Sequence, residues 1–314
     1  MGIEKIKQFC QGYELLIIDE AQNIPQIGHT LKIINDYIHG TKVIATGSSS
    51  FDLANKVGEP LVGRQTILTM FPLSVKELLL YYNPFEISQK LNELLIFGSY
   101  PETLMLEPKA DKIQYLRDLV GSYLFKDILS MYNIKNSSIL VKLTKLLAFQ
   151  VGSEVSLNEL STQLGIDVKT VGKYIELLEK SFIIQRLCSY STNLRNELSK
   201  KSKYYFVDNG IRNAIISQFS DLDDRNDMGQ LWENFLITER IKKNTYESRY
   251  VNVHFWRTYT HEEVDFVETY DHHLDAFEFK WNPLSKMKMK TFKEKYPHAT
   301  INMIHPENFI DFVG

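Results

Sequence analysis

From the start of the chain to about Leu80, short apolar runs alternate with an amphipathic stretch. The runs YELLIID and TKVIATG are typical of buried strands, whereas NIPQIGHTLKIINDYI repeats its apolar residues at helical spacing. The run from Thr66 to Phe71 predicts a further strand. Strand, helix and strand in this order predict a parallel α/β sheet.

In the remaining sequence the spacing of apolar residues changes twice. From Ser74 to about Ser189 apolar residues recur every three or four positions, which predicts helices. From Tyr204 onward strand-like runs return, and the helical stretch GQLWENFLITERIKKN precedes most of them. These runs are KYYFVD, YVNVHFWRT, EEVDFVETY, HLDAFEFKW and ATINMIHP. The sequence therefore predicts three regions of an α/β protein: residues 1–73, 74–203 and 204–314.

Composition excludes several classes of protein. Of the 314 residues, 44% are hydrophobic and 24% charged, which excludes a disordered tail, a fibrous repeat and a disulfide scaffold. The net charge of -3 means that any contact with nucleic acid needs a local basic patch. Cys10 and Cys188 lack a Cys-x-x-Cys context, so we expect reduced thiols. Neither a membrane span nor a signal pattern is apparent, so we expect a soluble, cytoplasmic protein without a membrane partner.

Two acids follow the first predicted strand. The apolar run from Leu15 to Ile18 is followed by Asp19 and Glu20, which places both acids at the carboxyl edge of the sheet, where α/β proteins bind ligands. In a nucleoside triphosphatase the aspartate of this Walker B strand holds Mg²⁺, and the glutamate polarises the attacking water. The alternative is a strand that ends by chance in two solvated acids.

The sequence segments around Asp19 and Glu20 resemble the AAA-type ATPase domain of a large prokaryotic family. IIDEAQNIP, TGSSSFDL, LVGR and FPLSVKEL agree with the family in order and spacing, and the resemblance extends through a C-terminal domain of unknown function. It implies ATP and Mg²⁺ as cofactors, with Ser48 near the γ-phosphate. It also implies that Arg64 reaches the nucleotide of a neighbour in a homo-oligomer. Alternatively, Arg64 is a surface residue paired with an acid such as Glu59.

One part of the family pattern is not found. The phosphate-binding loop, Gly-x-x-x-x-Gly-Lys-Ser/Thr, should lie well upstream of the Asp-Glu strand, but only 14 residues precede that strand here. Gly172-Lys173-Tyr174 has the wrong spacing for this loop. Without the loop there is no backbone cradle or lysine for the phosphates. We therefore expect a truncated or remodelled member that does not hydrolyse ATP alone; a working ATPase with a start further upstream is the alternative.

The helical region contains a winged-helix pattern. Ser156 and Glu159 predict a capping box at the start of one helix, Gly165 marks a turn, and Val168 to Lys180 predicts the second helix, with a strand from Phe182. The candidates for DNA contact on the second helix and the wing are Lys169, Thr170, Lys173, Lys200 and Lys201.

Lys203 also falls in the predicted wing. The second helix carries no arginine or asparagine able to read a base bidentately, so a module that only packs against its neighbours is the alternative. DNA is therefore a possible partner of the chain.

The C-terminal region holds a third group of candidate residues. Asp265 lies on one predicted strand, and Glu278 and Lys280 lie two apart on the next, so this last pair projects to one face. With Glu233 on the preceding helix, the pattern resembles the PD-(D/E)XK nuclease core of a restriction-endonuclease-like domain. The resemblance implies that Asp265 and Glu278 hold Mg²⁺ or Mn²⁺ and that Lys280 orients or deprotonates the attacking water.

Two functions follow from these patterns. The first is a partial P-loop NTPase core of AAA type with a winged helix and a nuclease-like domain, acting on nucleic acid. The second is a non-catalytic interaction protein, in which Asp265, Glu278 and Lys280 are only the solvated face of amphipathic strands. Loss of a metal-dependent activity on substitution of Asp265 or Lys280 would separate the two.

Overall fold

The computed structural model describes residues 2–47, 63–124, 137–191, 202–260 and 262–314, with the backbone alone for 122–124. The chain divides into two compact units. The smaller is Met1–Thr69 with Lys180–Phe182, and the larger is Met70–Glu179 with Ile183–Gly314. In the part of the chain that the structure describes, no helix is long and apolar enough to cross a membrane.

The smaller unit has the predicted strand–helix–strand order. Its elements are α1 (Ile3–Cys10), β1 (Leu15–Ile18), a 3₁₀ turn (Ala21–Asn23), α2 (Ile27–Tyr37) and β2 (Lys42–Ala45). Strands β1 and β2 pair in parallel, with Leu15 opposite Lys42. Helix α1, which the sequence pattern did not predict, buries Ile6 and Cys10 in the same cluster as Ile33 and Ile34 of α2.

The strand predicted from Thr66 to Phe71 is wrong. The described residues 63–71 contain no strand, and Ile67, Leu68 and Met70 are 73%, 88% and 95% exposed. An extended segment becomes a strand only when a neighbouring strand satisfies its backbone hydrogen bonds. Apolar residues alone therefore gave a false signal at this position.

Helices make up most of the first half of the larger unit. The helices are α3 (Val75–Leu78), α4 (Pro84–Phe97), α5 (Pro101–Met105), α6 (Lys109–Asp118, continued by a π-helical turn Leu119–Leu124), α7 (Ser137–Phe149), α8 (Leu157–Leu164), α9 (Val168–Lys180), α10 (Asn209–Ile216), α11 (Met228–Tyr246), α12 (Lys290–Lys295) and α13 (Phe309–Val313). A 3₁₀ turn covers Leu222–Asp224. The N-caps include Ser74 and Asn83, whose side chains form capping boxes at α3 and α4.

Within the described residues of the larger unit, seven strands form one mixed sheet. Its strands are β3 (Glu154–Val155), β4 (Ile184–Ser189), β5 (Ser202–Phe206), β6 (Asn252–Arg257), β7 (Glu263–Tyr270), β8 (His273–Phe279) and β9 (Thr300–Ile304). Their order is β3-β5-β4-β6-β7-β8-β9. Cys188 of β4 pairs in parallel with His254 of β6, so the strands before and after the predicted boundary at residue 203 share one sheet.

The core of this unit is built from apolar residues of its helices and its sheet. Helix α11 buries Trp232 and Phe235 against Phe309 of α13, and Phe312 contacts the rings of Phe266 and other strand residues. Large aromatic side chains bury much apolar area each, which stabilises the contact between helix and sheet. These contacts fix the position of the strands from which the candidate site described below is built.

A buried ion cluster lies just before α11. Asp227 accepts hydrogen bonds from Nε and Nη2 of Arg225, both at 2.8 Å, and from Arg212. Burial raises the pKa of the Asp227 carboxyl, but the hydrogen bonds from Arg225 and Arg212 outweigh it and hold this pKa below the ordinary value of 3.8. Ionised Asp227 therefore stabilises the fold above about pH 4 and loses this contribution as the pH falls through its lowered pKa.

Asp227→Asn is therefore expected to lower stability at neutral pH and to matter progressively less in acid. Urea unfolding of both proteins at about pH 7 and about pH 3 should show the difference in midpoint shrinking at the lower pH. A difference that stays constant or grows in acid would contradict this account. Asp271→Asn is the control, because Asp271 is exposed in a turn.

Candidate metal centre

Adjacent strands and one helix bring the predicted nuclease-like residues together. The ladder of β7 and β8 pairs Phe266 with Phe277, so Asp265 and Glu278 are the next residues along the two strands. Glu233 comes from α11, and its carboxylate lies within 4.8 Å of those of Asp265 and Glu263. We call the whole group the candidate metal centre: Glu233, Glu263, Asp265, Glu278, Lys203 and Lys280.

The surroundings of Asp265 strongly perturb the pKa of its carboxyl group. Its Oδ2 accepts a hydrogen bond of 2.7 Å from the backbone N–H of Phe279. Burial of the carboxyl group and the charges of Glu233 and Glu278 raise the pKa of Asp265 well above its ordinary value. A carboxylate in these surroundings is stabilised by a cation.

Glu278 and Lys280 form an ion pair at the end of β8. Lys280 Nζ is 2.6 Å from Oε1 of Glu278, which is itself 7% exposed. Among the described residues, Glu278 Oε2 has no hydrogen-bond partner. Burial raises the pKa of Glu278, although Lys280 opposes this effect. A buried carboxylate oxygen without a partner is costly, so this atom marks a place for a ligand or a cation.

The ammonium group of Lys280 keeps its proton in this setting. Burial lowers the pKa of Lys280, but the hydrogen bond to Glu278 and the nearby Asp265 and Glu233 outweigh it, so the net shift is upward. Of the two roles considered for this lysine, orienting a water molecule therefore agrees better with the geometry than removing a proton from it.

Lys203 of the predicted wing is buried, so it does not face solvent as a contact to DNA phosphates would require. Its side chain is 1% exposed, with Nζ 3.0 Å from Oε1 of Glu233 and in contact with Glu263. Burial lowers the pKa of Lys203, but Glu233, Glu263 and Asp265 outweigh burial and raise it overall. The only sequence signal is that this lysine begins the apolar run KYYFVD, a position that is usually solvated.

Tyr205, Lys203 and the backbone of Gly152 surround the carboxylate of Glu233. Tyr205 donates a hydrogen bond of 2.6 Å to its Oε1, and Lys203 pairs with the same atom. The backbone of Gly152 comes so close that a Cβ there would lie 2.9 Å from Glu233 Oε2. Because Gly152 also has φ +77°, only glycine fits there without strain.

The donor set fits a hard divalent cation. Mg²⁺ and Mn²⁺ prefer carboxylate oxygens, which Glu233, Glu263 and Asp265 offer within 4.8 Å of one another. Glu278 adds a buried Oε2 that has no partner among the described residues. Sequence reasoning missed Glu263, Lys203 and Tyr205, which complete the surroundings of these carboxylates.

The two acids predicted to be Walker B residues lie at the carboxyl edge of the smaller sheet. Asp19 Oδ1 accepts a hydrogen bond of 2.5 Å from Oγ1 of Thr46, at the end of β2, and both Asp19 and Glu20 are exposed. Arg64 pairs with Asp36, with Nε and Oδ1 3.4 Å apart. Ser48, as well as Glu59, the acid suggested as a partner of Arg64, lies outside the described residues.

The predicted DNA-contact residues separate into two groups. Lys169 and Lys173 are exposed on α9, whereas Thr170 donates its hydroxyl to Asp167 at 2.6 Å. Lys200 and Lys201 lie outside the described residues. Of the predicted DNA-contact residues that the structure describes, Lys169 and Lys173 therefore present exposed charge.

Three family models match successive parts of the chain. Residues 3–79 match an AAA domain, residues 88–222 a domain of unknown function (DUF8612), and residues 228–309 a second domain of unknown function (DUF4143). These matches indicate an AAA-type, ATPase-like protein and confirm the predicted order of an AAA core and a C-terminal domain of unknown function. The boundary predicted at residue 203 falls inside the second match.

Uncharacterized proteins from several organisms are similar to the chain. One from Haemophilus influenzae is 29% identical over 215 residues, 64% of this chain and 52% of that protein. One from Methanocaldococcus jannaschii is 24% identical over 279 residues, covering 84% and 60%. One from Mycobacterium tuberculosis is 22% identical over 273 residues, covering 85% and 58%. The chain thus spans between 52% and 60% of the length of these relatives. No solved structure matches it.

Proposed function

We propose that the C-terminal part of this AAA-related chain hydrolyses phosphodiester bonds of nucleic acid with the help of a divalent cation. The observation that carries this proposal is the close group of carboxylates from Glu233, Glu263 and Asp265, which lie within 4.8 Å of one another. Beside it on the next strand, Glu278 pairs with Lys280 and has a buried oxygen without a partner among the described residues. Acids with a raised pKa beside lysines, as Asp265 and Glu278 are, are typical of functional sites.

The order of elements supports the nuclease resemblance. Helix α11 is followed by the antiparallel meander β6-β7-β8, and then by α12 and β9, which pairs in parallel with β8. This arrangement of helix, three strands, helix and strand agrees with a PD-(D/E)XK core. It also puts Asp265 and the Glu278–Lys280 pair on neighbouring strands, as that core requires.

The residues of the centre and Tyr205 divide among three roles in the proposed reaction. Asp265, Glu278 and Glu233 would hold Mg²⁺ or Mn²⁺, which when bound polarises the phosphate and stabilises developing negative charge. Lys280 donates hydrogen bonds as an ammonium ion and so orients the attacking water. Tyr205 fixes the carboxylate of Glu233.

The middle of the chain supports nucleic acid as the substrate. Strands β3, β5 and β4 form an antiparallel group next to the pair α8 and α9, with Gly165 (φ +66°) between the helices. This layout agrees with a winged helix. Lys169 and Lys173 on α9 would then contact phosphates.

A cleavage assay tests the proposal directly. The full chain, incubated with single-stranded and duplex DNA and with RNA, should cleave at least one of them in Mg²⁺ or Mn²⁺ and none in EDTA. Asp265→Asn should lose at least about a hundredfold in rate, because a ligand of the cation is weakened. Asp271→Asn, the exposed control on the same β-hairpin, should match the wild type. Equal cleavage by both variants would contradict the proposal.

For the AAA part we propose no ATP hydrolysis by this chain alone. The sequence contains no phosphate-binding loop to cradle the triphosphate, so we expect no saturable binding of a fluorescent ATP analogue with or without Mg²⁺. Saturable micromolar binding that Asp19→Ala abolishes would contradict this expectation and show that the Walker B edge serves a nucleotide site.

The second candidate function is a non-catalytic interaction protein. The buried ammonium of Lys203 favours it, because a lysine that already neutralises Glu233 and Glu263 can turn the cluster into a structural ion network. In that case Mn²⁺ would not raise the thermal stability of the chain, whereas a metal centre would be stabilised by mass action.

A further inference from the structure

The ammonium group of Lys203 is a buried cation within the candidate metal centre. Lys203 extends from β5 and pairs with Glu233 and Glu263. Strand β5 belongs to the part of the chain matched by one family model, at residues 88–222, whereas the carboxylates belong to the next match, at residues 228–309. The centre is therefore completed by a residue from outside the C-terminal match.

Charge balance limits how many divalent cations this centre can hold. It contains four carboxylates and two ammonium groups, so its net charge is -2 when all are ionised. Arg257 also touches Glu263, but it is itself paired with Glu154 and adds no net charge. One divalent cation brings the net charge of the centre to zero, whereas two would bring it to +2 in a largely buried place, which is costly. Without the ammonium of Lys203, one divalent cation leaves -1 and two leave +1, so the net charge no longer disfavours a second ion.

The positions of the groups agree with this count. Lys203 occupies the side of the cluster between Glu233 and Glu263, where its ammonium is 1% exposed. The unpartnered oxygen of Glu278 lies in the same centre but does not pair with Lys203. The cluster thus has one place already filled by a protein cation and one acceptor atom still without a partner.

We propose that Lys203 takes the place of a second divalent cation, so that the centre binds a single Mg²⁺ or Mn²⁺ per chain. This inference rests on the proposed function and specifies its metal requirement. Lys203 is a positioning residue: it fixes Glu233 and Glu263 and touches neither substrate nor the reacting water.

The number of Mn²⁺ ions bound per full chain tests this inference. Calorimetric titration, checked by electron paramagnetic resonance of free Mn²⁺, should give one ion for the wild type and two for Lys203→Met. Lys203→Gln, which keeps hydrogen-bond donors for Glu233 and Glu263, should also bind two and serves where the methionine variant does not fold. Lys142→Met, which changes an exposed lysine of α7 elsewhere in the larger unit, should bind one.

The other outcomes overturn the inference in distinguishable ways. A wild type that binds two ions, or Lys203 variants that bind one or none, would contradict the inference while leaving a metal centre in place. Loss of the fold in both variants even at saturating Mn²⁺ would also contradict it, because a second ion should replace the missing ammonium. A wild type that binds no Mn²⁺ would contradict the proposed function itself.

Discussion

Lys280→Met is expected to lower DNA or RNA cleavage by at least about a hundredfold while leaving Mn²⁺ binding intact. The lysine donates to Glu278 at 2.6 Å and stays protonated, so its removal takes away the group that orients water. The metal-holding carboxylates remain, and Glu278 loses a competing cation. Parallel cleavage assays and calorimetric Mn²⁺ titrations measure the two properties separately.

The comparison with Asp265→Asn makes this prediction specific. The asparagine variant should lose both cleavage and Mn²⁺ affinity, because Asp265 would be a ligand of the cation. Lys280→Arg keeps the positive charge and should retain more activity than Lys280→Met. If Lys280→Met cleaves within about threefold of the wild type, Lys280 has no part in the reaction.

Arg240→Met is expected to destabilise the larger unit by about 3–5 kcal/mol, a large share of a typical domain's stability. Arg240 makes two parallel hydrogen bonds of 2.8 and 2.7 Å to Glu268, whose side chain is fully buried, and a third of 2.7 Å to the carbonyl of Phe312. Without Arg240, the carboxylate of Glu268 stays buried beside Asn244 and the more distant Arg249 alone. Urea unfolding followed by tryptophan fluorescence measures the loss, since all three tryptophans lie in the larger unit.

A double variant separates two contributions to stability: the cost of leaving Glu268 buried without Arg240, and the stabilisation that the ion pair itself provides. Arg240→Met with Glu268→Leu leaves no buried charge, so it should be more stable than Arg240→Met alone. Arg186→Met is the control, because Arg186 is 41% exposed in its pair with Glu179 and should cost at most about 1 kcal/mol. A double variant less stable than the single one would contradict this account.

Alternation of apolar residues was enough to predict the C-terminal strands. Strands β6 to β9 each fall within one of the β-rich runs, β5 begins one residue before the run KYYFVD, and α11 falls on GQLWENFLITERI. Because strand period and sheet pairing are local constraints, the grouping of Asp265 with Glu278 and Lys280 followed from the same pattern. The segment Thr66–Phe71 shows the limit of this reasoning, since no partner strand pairs with it among the described residues.

The buried ion pairs could not be predicted in the same way. Lys203 lies 30 residues before Glu233 in sequence and meets it only because β5 and α11 pack together in the larger unit. Arg240 and Glu268 likewise appear as ordinary polar positions of a helix and a strand. A lysine or arginine in a strand or helix is usually solvated, so only tertiary structure reveals that these are not.

A crystal of the full chain soaked in Mn²⁺ tests the central claim most directly. The account predicts one anomalous difference peak per chain, within ligand distance of carboxylate oxygens of Asp265 and Glu278, with Lys203 still paired to Glu233. An ordered crystal that shows no peak at this cluster at saturating Mn²⁺ would contradict the claim that it is a metal centre.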